Sequence, residues 1–231
     1  MGLINVFKSI YNTLYFNIKA FPLNEAFRFP VICGPKVIYR NIEKGKVMFA
    51  DGIAFKKMRI GLTEGSFLGG HNQRTYVHIG GENANLVIAD RCDIPCGSVL
   101  NVNGYLEIGK NFMPNCFLTV SCENKIVIGD NCNIGWNVTL IDGDGHPLCD
   151  INNPQNEINK SRPVIIGNDC WIAAHATIMK GVSLADNTTI PYGSIITKSC
   201  KKTKTIFGGS PNSVLKENVV RQDFFNIRNY D

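Results

Sequence analysis

The sequence lacks a long run of basic residues, a CxxC pair and an uninterrupted apolar segment of membrane-spanning length. Its net charge of +5 is modest, so it suits anionic ligands such as phosphates and argues against a nucleic-acid-binding protein. The first 21 residues contain no small-residue cleavage site. They therefore predict neither a signal peptide nor a membrane span.

Cysteine is present in an odd number, nine, and the residues are scattered along 231 positions. A secreted disulfide framework shows an even number in a shorter chain. We therefore interpret the cysteines as reduced residues that act as small apolar side chains, which indicates a cytoplasmic protein. Hydrophobic residues make up 44% and charged residues 19%, which predicts one folded domain, alone or with an appendage.

An amphipathic helix is predicted near the N-terminus, because apolar side chains recur there at intervals of three and four residues. Lys8 and Lys19 add positive charge, and Pro22 and Pro30 end the helical pattern before residue 31. We expect the apolar face to pack on its own domain or on a neighbouring subunit, as most amphipathic helices do. An interfacial membrane helix is the alternative. The face consists of Ile4, Phe7, Ile10, Tyr11 and Leu14.

A period of six residues governs the second half of the chain. The aliphatic positions are Ile166, Ile172, Ile178, Leu184, Ile190 and Ile196. Four residues after each of the first five stand the small or β-branched Cys170, Ala176, Val182, Thr188 and Ser194. The same pattern, after a slip in phase, includes Ile88, Ile94, Leu100, Ile128, Ile134 and Leu140.

A six-residue period fits neither an isolated helix nor an alternating strand, so it predicts a repeat architecture. Each hexapeptide would form one short strand and one corner, with a large aliphatic side chain pointing inward. Three hexapeptides would close a triangular coil, and stacked coils would share one core. Backbone hydrogen bonds would then join parallel strands of successive coils. Glycine and asparagine suit the corners, because they tolerate positive φ.

Four segments of the chain carry a family resemblance: "NFMPNCFLTVSCENKIVIGDNCNIGWNVTL" (111–140), "GHP" (145–147), "PVIIGNDCWIAAHATIMKGVSLADNTTIPYGSIITK" (163–198) and "GGSPNSVLK" (208–216). They resemble the hexapeptide-repeat acyltransferases, and above all the galactoside, maltose and Nod-factor O-acetyltransferase branch. The resemblance covers about half of the chain densely and implies an all-β, left-handed parallel β-helix. We divide the chain into an N-terminal helical segment at 1–35, a β-helix at 36–200 and a partly helical tail at 201–231.

Residues 141–165 interrupt the repeat with a mostly polar segment that contains one histidine, His146. Because the interior of a solenoid is packed, chemistry must be added at its edge, and a loop on a rigid scaffold is the usual place. The resemblance implies that His146 is the general base and that this protruding loop reaches a neighbouring subunit of a homotrimer. It also implies an acetyl-CoA-dependent acetyltransferase that acts on a sugar hydroxyl, in a surface polysaccharide or its precursor, without a metal.

The resemblance carries over the acceptor site residue by residue. Asn115, in "PNCF", matches an asparagine that contacts the acceptor sugar. Glu123, in "SCENK", stands where the family has an aspartate, so the charge is kept and the reach is altered. Trp171 is expected to form a wall of the cleft. Asp142 or Asp144 is a candidate to orient the imidazole of His146, although an exposed turn aspartate is the commoner role.

The resemblance also implies how coenzyme A is bound. The backbone amide of Ala174 matches the donor near the thioester carbonyl, and Tyr192 is a further candidate for the same wall. Ser213 stands where the branch often has a basic residue, so that phosphate contact is not carried over. The positions that match the lining of the pantetheine and phosphates are Thr197, Lys198 and Lys216.

Three alternatives remain open at this stage. A zinc-dependent carbonic anhydrase on the same fold would need three histidines, but His71, His78 and His175 do not have the required spacing. A β-helix without activity could act as an assembly scaffold. Within the enzymes, the alternative is N-acylation of a nucleotide-linked amino sugar.

Overall fold

A triangular prism of stacked coils forms most of the protein, in a computed structural model that describes residues 2–65, 70 and 73–222. Two helices precede it in the described chain, α1 (Leu3–Ala20) and α2 (Leu23–Ala26). The first four coils contain β1 (Val31–Cys33), β2 (Val37–Ile42) and β3 (Val47–Phe49); β4 (Met58–Ile60), β5 (Thr75–Ile79) and β6 (Asn85–Ile88); β7 (Cys92–Ile94), β8 (Val99–Val102) and β9 (Tyr105–Ile108); and β10 (Met113–Pro114), β11 (Thr119–Cys122) and β12 (Lys125–Ile128).

The later coils follow the same order, with one hairpin inserted in the fifth coil. They contain β13 (Asn133–Ile134), β14 (Thr139–Ile141), the hairpin strands β15 (Cys149–Asp150) and β16 (Asn153–Glu157), and β17 (Val164–Ile166); then β18 (Trp171–Ile172), β19 (Thr177–Ile178) and β20 (Ser183–Leu184); then β21 (Thr188–Ile190) and β22 (Ile195–Ile196). The chain ends its described part with β23 (Thr205–Gly208) and β24 (Ser213–Glu217).

Strands at the same position in successive coils pair in parallel, apart from β7 and β10, so the prism has three faces. Face I begins with β1, β4 and β7 and continues from β10 to β24; face II runs from β2 to β22; face III runs from β3 to β20. Val120 pairs with Leu100 on one side and with Leu140 on the other. This is the predicted left-handed parallel β-helix.

The predicted repeat is the core of the prism. Every aliphatic residue of the six-residue pattern is at most 2% exposed. The slip in phase arises because the coils have two lengths. Equivalent residues of the earlier coils, 99, 119 and 139, are twenty residues apart, whereas those of the later coils, 177 and 195, are eighteen apart. The earlier coils contain two extra residues at the corner between faces II and III.

The corner between faces III and I explains the recurrent aspartate and asparagine residues. The Asp130 carboxylate accepts the Lys110 amide at 2.7 Å, and Asn168 Oδ1 accepts the Asp130 amide at 2.8 Å. The Asp186 carboxylate accepts the Asn168 amide at 2.7 Å. Each side chain therefore satisfies a backbone donor of the preceding coil, which the strands themselves leave unpaired at a corner.

The cysteines fill the interior, as predicted. All nine lie in the described part of the chain as free thiols, and eight of them are buried. Burial raises the pKa of Cys116 to about 11 and that of Cys122 to about 12. These thiols stay protonated and unreactive at neutral pH, because only the thiolate is a strong nucleophile.

Helix α1 closes the first coil with a face of mixed polarity, made of Asn12, Thr13, Phe16, Asn17 and Ala20. The predicted apolar face therefore does not pack on its own domain, and its packing on a neighbouring subunit stays a prediction. Asn17 donates to Val31 O at 2.6 Å and accepts from Val31 N at 3.2 Å. Thr13 Oγ1 accepts the Cys33 amide at 3.0 Å. The free edge of β1 needs polar partners, and so the predicted apolar face is turned outward. Among the described residues, no helix is long and apolar enough to cross a membrane.

The ends of the prism also differ from the predicted boundaries. The first coil begins at β1, a few residues before position 36. In residues 201–222 the tail forms β23 and β24, which pair antiparallel. A partly helical tail therefore stays a prediction for its remaining positions. Positions 223–231 lie outside the described residues.

Replacing Ile178 by Asp should unfold the prism at a much lower temperature. The side chain is fully buried, and an unpaired carboxylate in an apolar core costs on the order of several kcal/mol. Ile195, on the neighbouring strand of the same face, is 62% exposed, so Ile195→Asp is the matched control and should melt near the wild type. Thermal melting by circular dichroism checks both; a normal melt for Ile178→Asp would refute the inward register.

Candidate active site

The inserted loop begins and ends at the corner between faces II and III. Asp142 is fully buried, and its carboxylate accepts the amides of Glu123 at 2.7 Å and Asn124 at 2.9 Å. The Arg162 amide donates to Asp142 O at 2.8 Å. Asp142 therefore ties the loop to the preceding coil through backbone donors and is not the group that orients His146.

Asn159 holds the two sides of the loop together next to His146. Its Nδ2 donates to the His146 carbonyl at 2.9 Å and to the Asp144 carboxylate at 2.9 Å. Its Oδ1 accepts the Leu148 amide at 2.6 Å. The backbone on both sides of the histidine is thus fixed, while the imidazole itself is exposed to solvent.

Lys180 reaches this loop from the next coil. Its ammonium group donates to the Asp144 carboxylate and to Asn159 O, the latter at 2.5 Å. The hydrogen bond from Lys180, with a second one from Asn159, lowers the pKa of Asp144 below its usual value. Asp144 is therefore a structural anchor of the loop, and neither aspartate that sequence suggested is shown contacting the imidazole.

Glu123 lies beside the same loop. A Cβ atom at Gly143 would be only 1.8 Å from Glu123 Oε2, and one at Gly145 would be 3.9 Å from Oε1. The carboxylate therefore lies against the two glycines that precede His146. Glycine at position 143 is required for this close approach, since any larger residue would displace the carboxylate.

A second group of predicted residues lies at the other end of face II, at the corner with face I. Asn115 is buried and donates from Nδ2 to Ile134 O at 3.0 Å. A Cβ at Gly135 would be 2.4 Å from the Ala174 nitrogen, so only glycine allows the two coils to approach at this amide. The Ala174 amide makes no backbone hydrogen bond to a described residue, which suits a donor reserved for a ligand.

Aromatic side chains surround this corner. The rings of His175 and Tyr192 have centroids 5.1 Å apart, and the Trp136 ring meets His175 edge-on at 6.5 Å. His175 Nδ1 lies 2.9 Å from Asn137 Nδ2, so the amide donates to the ring nitrogen. Trp171 is 41% exposed on the adjoining strand of face I. Trp136 was not predicted, because its position in the sequence has no signal apart from the "IGW" corner.

The predicted coenzyme residues are distributed over the last coils. Thr197 is held by Asn212, whose Oδ1 accepts the Thr197 amide at 2.7 Å and lies 3.1 Å from its hydroxyl. Lys198 is exposed next to it, and Lys216 is exposed on β24 opposite Ile206. Asn212 was not singled out from sequence, although it belongs to the "GGSPNSVLK" segment.

Within one chain, the structure assembles the predicted residues into two separate groups. Asn115, Ala174 and Tyr192 lie at one corner of face II, and Glu123 and the His146 loop lie at the other. Six to eight residues separate the corners along a coil, which is about 20–26 Å of extended chain at about 3.3 Å per residue. One chain alone therefore does not bring the two groups together, whereas two neighbouring chains could.

A metal centre has little support among the described residues, where no three histidine, cysteine, aspartate or glutamate side chains converge. His78 Nε2 contacts Asn103 Oδ1 at 3.0 Å in the second coil, four coils from His175. His71 lies outside the described residues.

Family models and known proteins match this architecture. The model described as "Bacterial transferase hexapeptide (six repeats)" matches residues 163–198, and "Hexapeptide repeat of succinyl-transferase" matches residues 125–150. Galactoside O-acetyltransferase of Escherichia coli K12 is 36% identical over 130 residues, which are 54% of this chain and 60% of that protein. Polysialic acid O-acetyltransferase of Neisseria meningitidis is 32% identical over 148 residues, 62% of this chain and 67% of that protein.

Two solved structures show the same fold. The polySia-specific acetyltransferase NeuO has a TM-score of 0.52 at 23% identity, covering 85% of this chain and 80% of its own. The polysialic acid O-acetyltransferase OatWY has a TM-score of 0.51 at 21% identity, covering 84% and 93%. The chain belongs to the hexapeptide-repeat acyltransferase family.

Asn159→Ala should loosen the loop around His146 without unfolding the prism. The substitution removes the acceptor of the Leu148 amide and the two hydrogen bonds that Asn159 Nδ2 donates to Asp144 and to the His146 carbonyl. Hydrogen exchange at the Leu148 amide should therefore accelerate at least about tenfold. Asn152→Ala, in the exposed hairpin of the same loop, is the control and should leave that amide unchanged. Equal exchange in both variants would show that Asn159 does not hold the loop.

Proposed function

We propose that the protein is an acetyl-CoA-dependent O-acetyltransferase that acts on a sugar hydroxyl, with His146 as general base. The supporting observation is the loop itself, which leaves a rigid coil and carries an exposed histidine between backbone anchors, next to the Glu123 carboxylate. The chain spans 60% of the galactoside enzyme's length and 67% of the polysialic acid enzyme's, and both of those proteins are O-acetyltransferases by name.

The proposed reaction needs few groups. His146 takes the proton of the acceptor hydroxyl as its oxygen attacks the thioester carbonyl. The Ala174 amide donates to the oxygen that becomes negatively charged in the transition state. When the C–S bond breaks, His146 returns the proton to the departing thiolate of coenzyme A. Asn115, Glu123 and Trp171 position the sugar, and binding both substrates in line supplies much of the remaining acceleration.

We further propose a homotrimer with active sites between subunits. The two groups of site residues lie at opposite ends of face II, and a cyclic arrangement would bring the His146 loop of one chain to the Asn115–Ala174 corner of the next. The coenzyme would then lie along this junction, contacted by Tyr192 and by three residues of the last coils: Thr197, Lys198 and Lys216. The free cysteines fit a reducing cytoplasm.

The acceptor is proposed to be a sugar of a surface polysaccharide or of its precursor, as the two named relatives act on a galactoside and on polysialic acid. A screen of acetyl-CoA turnover should include sugars, nucleotide sugars, polysaccharide precursors and amino sugars. Mild base hydrolyses an O-acetyl ester but not an N-acetyl amide. Base-resistant products would therefore refute O-acetylation and favour the N-acyltransferase alternative.

His146→Ala should lower kcat by about 10²–10⁴-fold and leave coenzyme A binding intact, because the side chain belongs to an exposed loop. Lys216→Ala should do the reverse, weakening coenzyme affinity with less effect on turnover at saturation. Steady-state kinetics and calorimetric titration of coenzyme A check both. His175→Ala is the comparison variant; if it abolishes turnover while His146→Ala does not, the base is His175.

A shared site predicts complementation between two inactive variants. His146→Ala and Asn115→Ala subunits, unfolded and refolded together in equal amounts, should recover about one quarter of wild-type activity, because one junction in four then has both intact residues. Each variant refolded alone should stay inactive, and light scattering should give the mass of three chains. Absence of recovery in mixed trimers of the right mass would place both residues in one subunit's site.

A further inference from the structure

Helix α1 has a continuous apolar face that nothing in the described chain covers. Its buried face packs on the first coil, where Asn12, Thr13 and Asn17 hydrogen-bond to the chain around β1 and Phe16 and Ala20 join the core. The opposite face is exposed along the whole length of the helix, with Leu3 72% and Phe7 63% exposed. Its members are Leu3, Ile4, Val6, Phe7, Ile10, Tyr11, Leu14 and Ile18.

The direction of this face limits what can cover it. The buried side of α1 occupies the free edge of β1, where Val31, Cys33 and Gly34 have no preceding coil. The apolar side therefore faces away from the end of the prism, along the prism axis. A neighbouring subunit that packs beside the prism with a parallel axis, as in the proposed trimer, does not reach it.

The charge of the helix distinguishes between the remaining occupants. Residues 2–24 contain no aspartate or glutamate. Lys8 and Lys19 are eleven residues apart, which is close to three helical turns, so they form one basic stripe beside the apolar face. Two α1 helices packed against each other would bring these lysines together with no acidic residue in either helix, whereas an anionic surface would attract them.

The apolar surface continues beyond α1. Leu23 is 58% exposed and Phe27 is 60% exposed on and after α2, where the exposed Arg28 offsets the charge of the half-buried Glu25. An amphipathic helix with an apolar face, a lysine border and no acidic residue is the type that lies in the interface of a bilayer with anionic lipids.

We propose that the apolar face of α1 binds the surface of an anionic phospholipid membrane and holds the prism end-on to it. Leu3, Phe7, Ile10 and Leu14 enter the headgroup boundary, and Lys8 and Lys19 contact lipid phosphates. In the proposed trimer, three such helices lie on one side and bind together, which strengthens the attachment. The inference rests on α1 and not on acetyltransferase activity, so either can fail without the other.

The test is sedimentation of the full chain with vesicles of phosphatidylcholine alone or mixed with phosphatidylglycerol. Wild type should sediment with the mixed vesicles and much less with phosphatidylcholine alone. Phe7→Ser/Ile10→Ser should reduce the bound fraction at least about tenfold. The matched control is Ile195→Ser/Val220→Ser, which removes two similarly exposed apolar side chains at the far end of the prism and should bind as wild type.

A separate pair of variants tests the contribution of the lysines to membrane binding. Lys8→Glu/Lys19→Glu should abolish the preference for phosphatidylglycerol, whereas Lys125→Glu/Lys204→Glu, with the same net charge, should keep it. All variants change exposed residues, and circular dichroism should show wild-type folding. Two results would overturn the proposal: no binding of wild type to mixed vesicles, or a fall in solution mass for Phe7→Ser/Ile10→Ser, which would identify a second copy as the occupant.

Discussion

Coil-to-coil backbone hydrogen bonding is the interaction on which the remainder of this structure depends. All three faces are built by strands that pair with their equivalents in neighbouring coils, as at Val120, which pairs with Leu100 and Leu140. This pairing continues along the prism only if successive coils have the same shape. One inward aliphatic residue on each face fills the interior of every coil in the same way and so keeps that shape constant. Corners must then turn sharply, and the chain uses side-chain acceptors such as Asp130 and Asn168 to satisfy the backbone there.

A stack of coils necessarily has two ends with unpaired strand edges, and the chain treats them differently. At the first end, α1 supplies amide and hydroxyl side chains to the edge of β1, so the helix directs the face that holds them inward, together with Phe16 and Ala20. At the last end, β24 pairs antiparallel with β23. The requirement to satisfy an open strand edge outweighs the usual burial of an apolar helix face.

The same regularity explains why the candidate site lies at corners and in an insertion. Residues that point inward pack in the core. The candidate site therefore consists of residues outside it, such as Glu123 and Ala174 at the two ends of face II and the loop of His146. The loop is fixed by Asp142, Asn159 and Lys180, which contact backbone or each other. Fixed backbone around an exposed imidazole is what a general base needs in order to meet a substrate in one orientation.

The sequence by itself determined the inward residues, the three-sided coil and the position of the interrupting loop, because a six-residue period is a local property that each hexapeptide repeats. Only the tertiary structure decided which residues anchor the loop, because the partners of Asp144 and Asp142 are Lys180 and Glu123, thirty-six and nineteen residues away. It also decided the orientation of α1. Helical periodicity reports that a helix has an apolar face, but whether that face is buried depends on the surface it meets, here a strand edge that requires hydrogen-bonding groups.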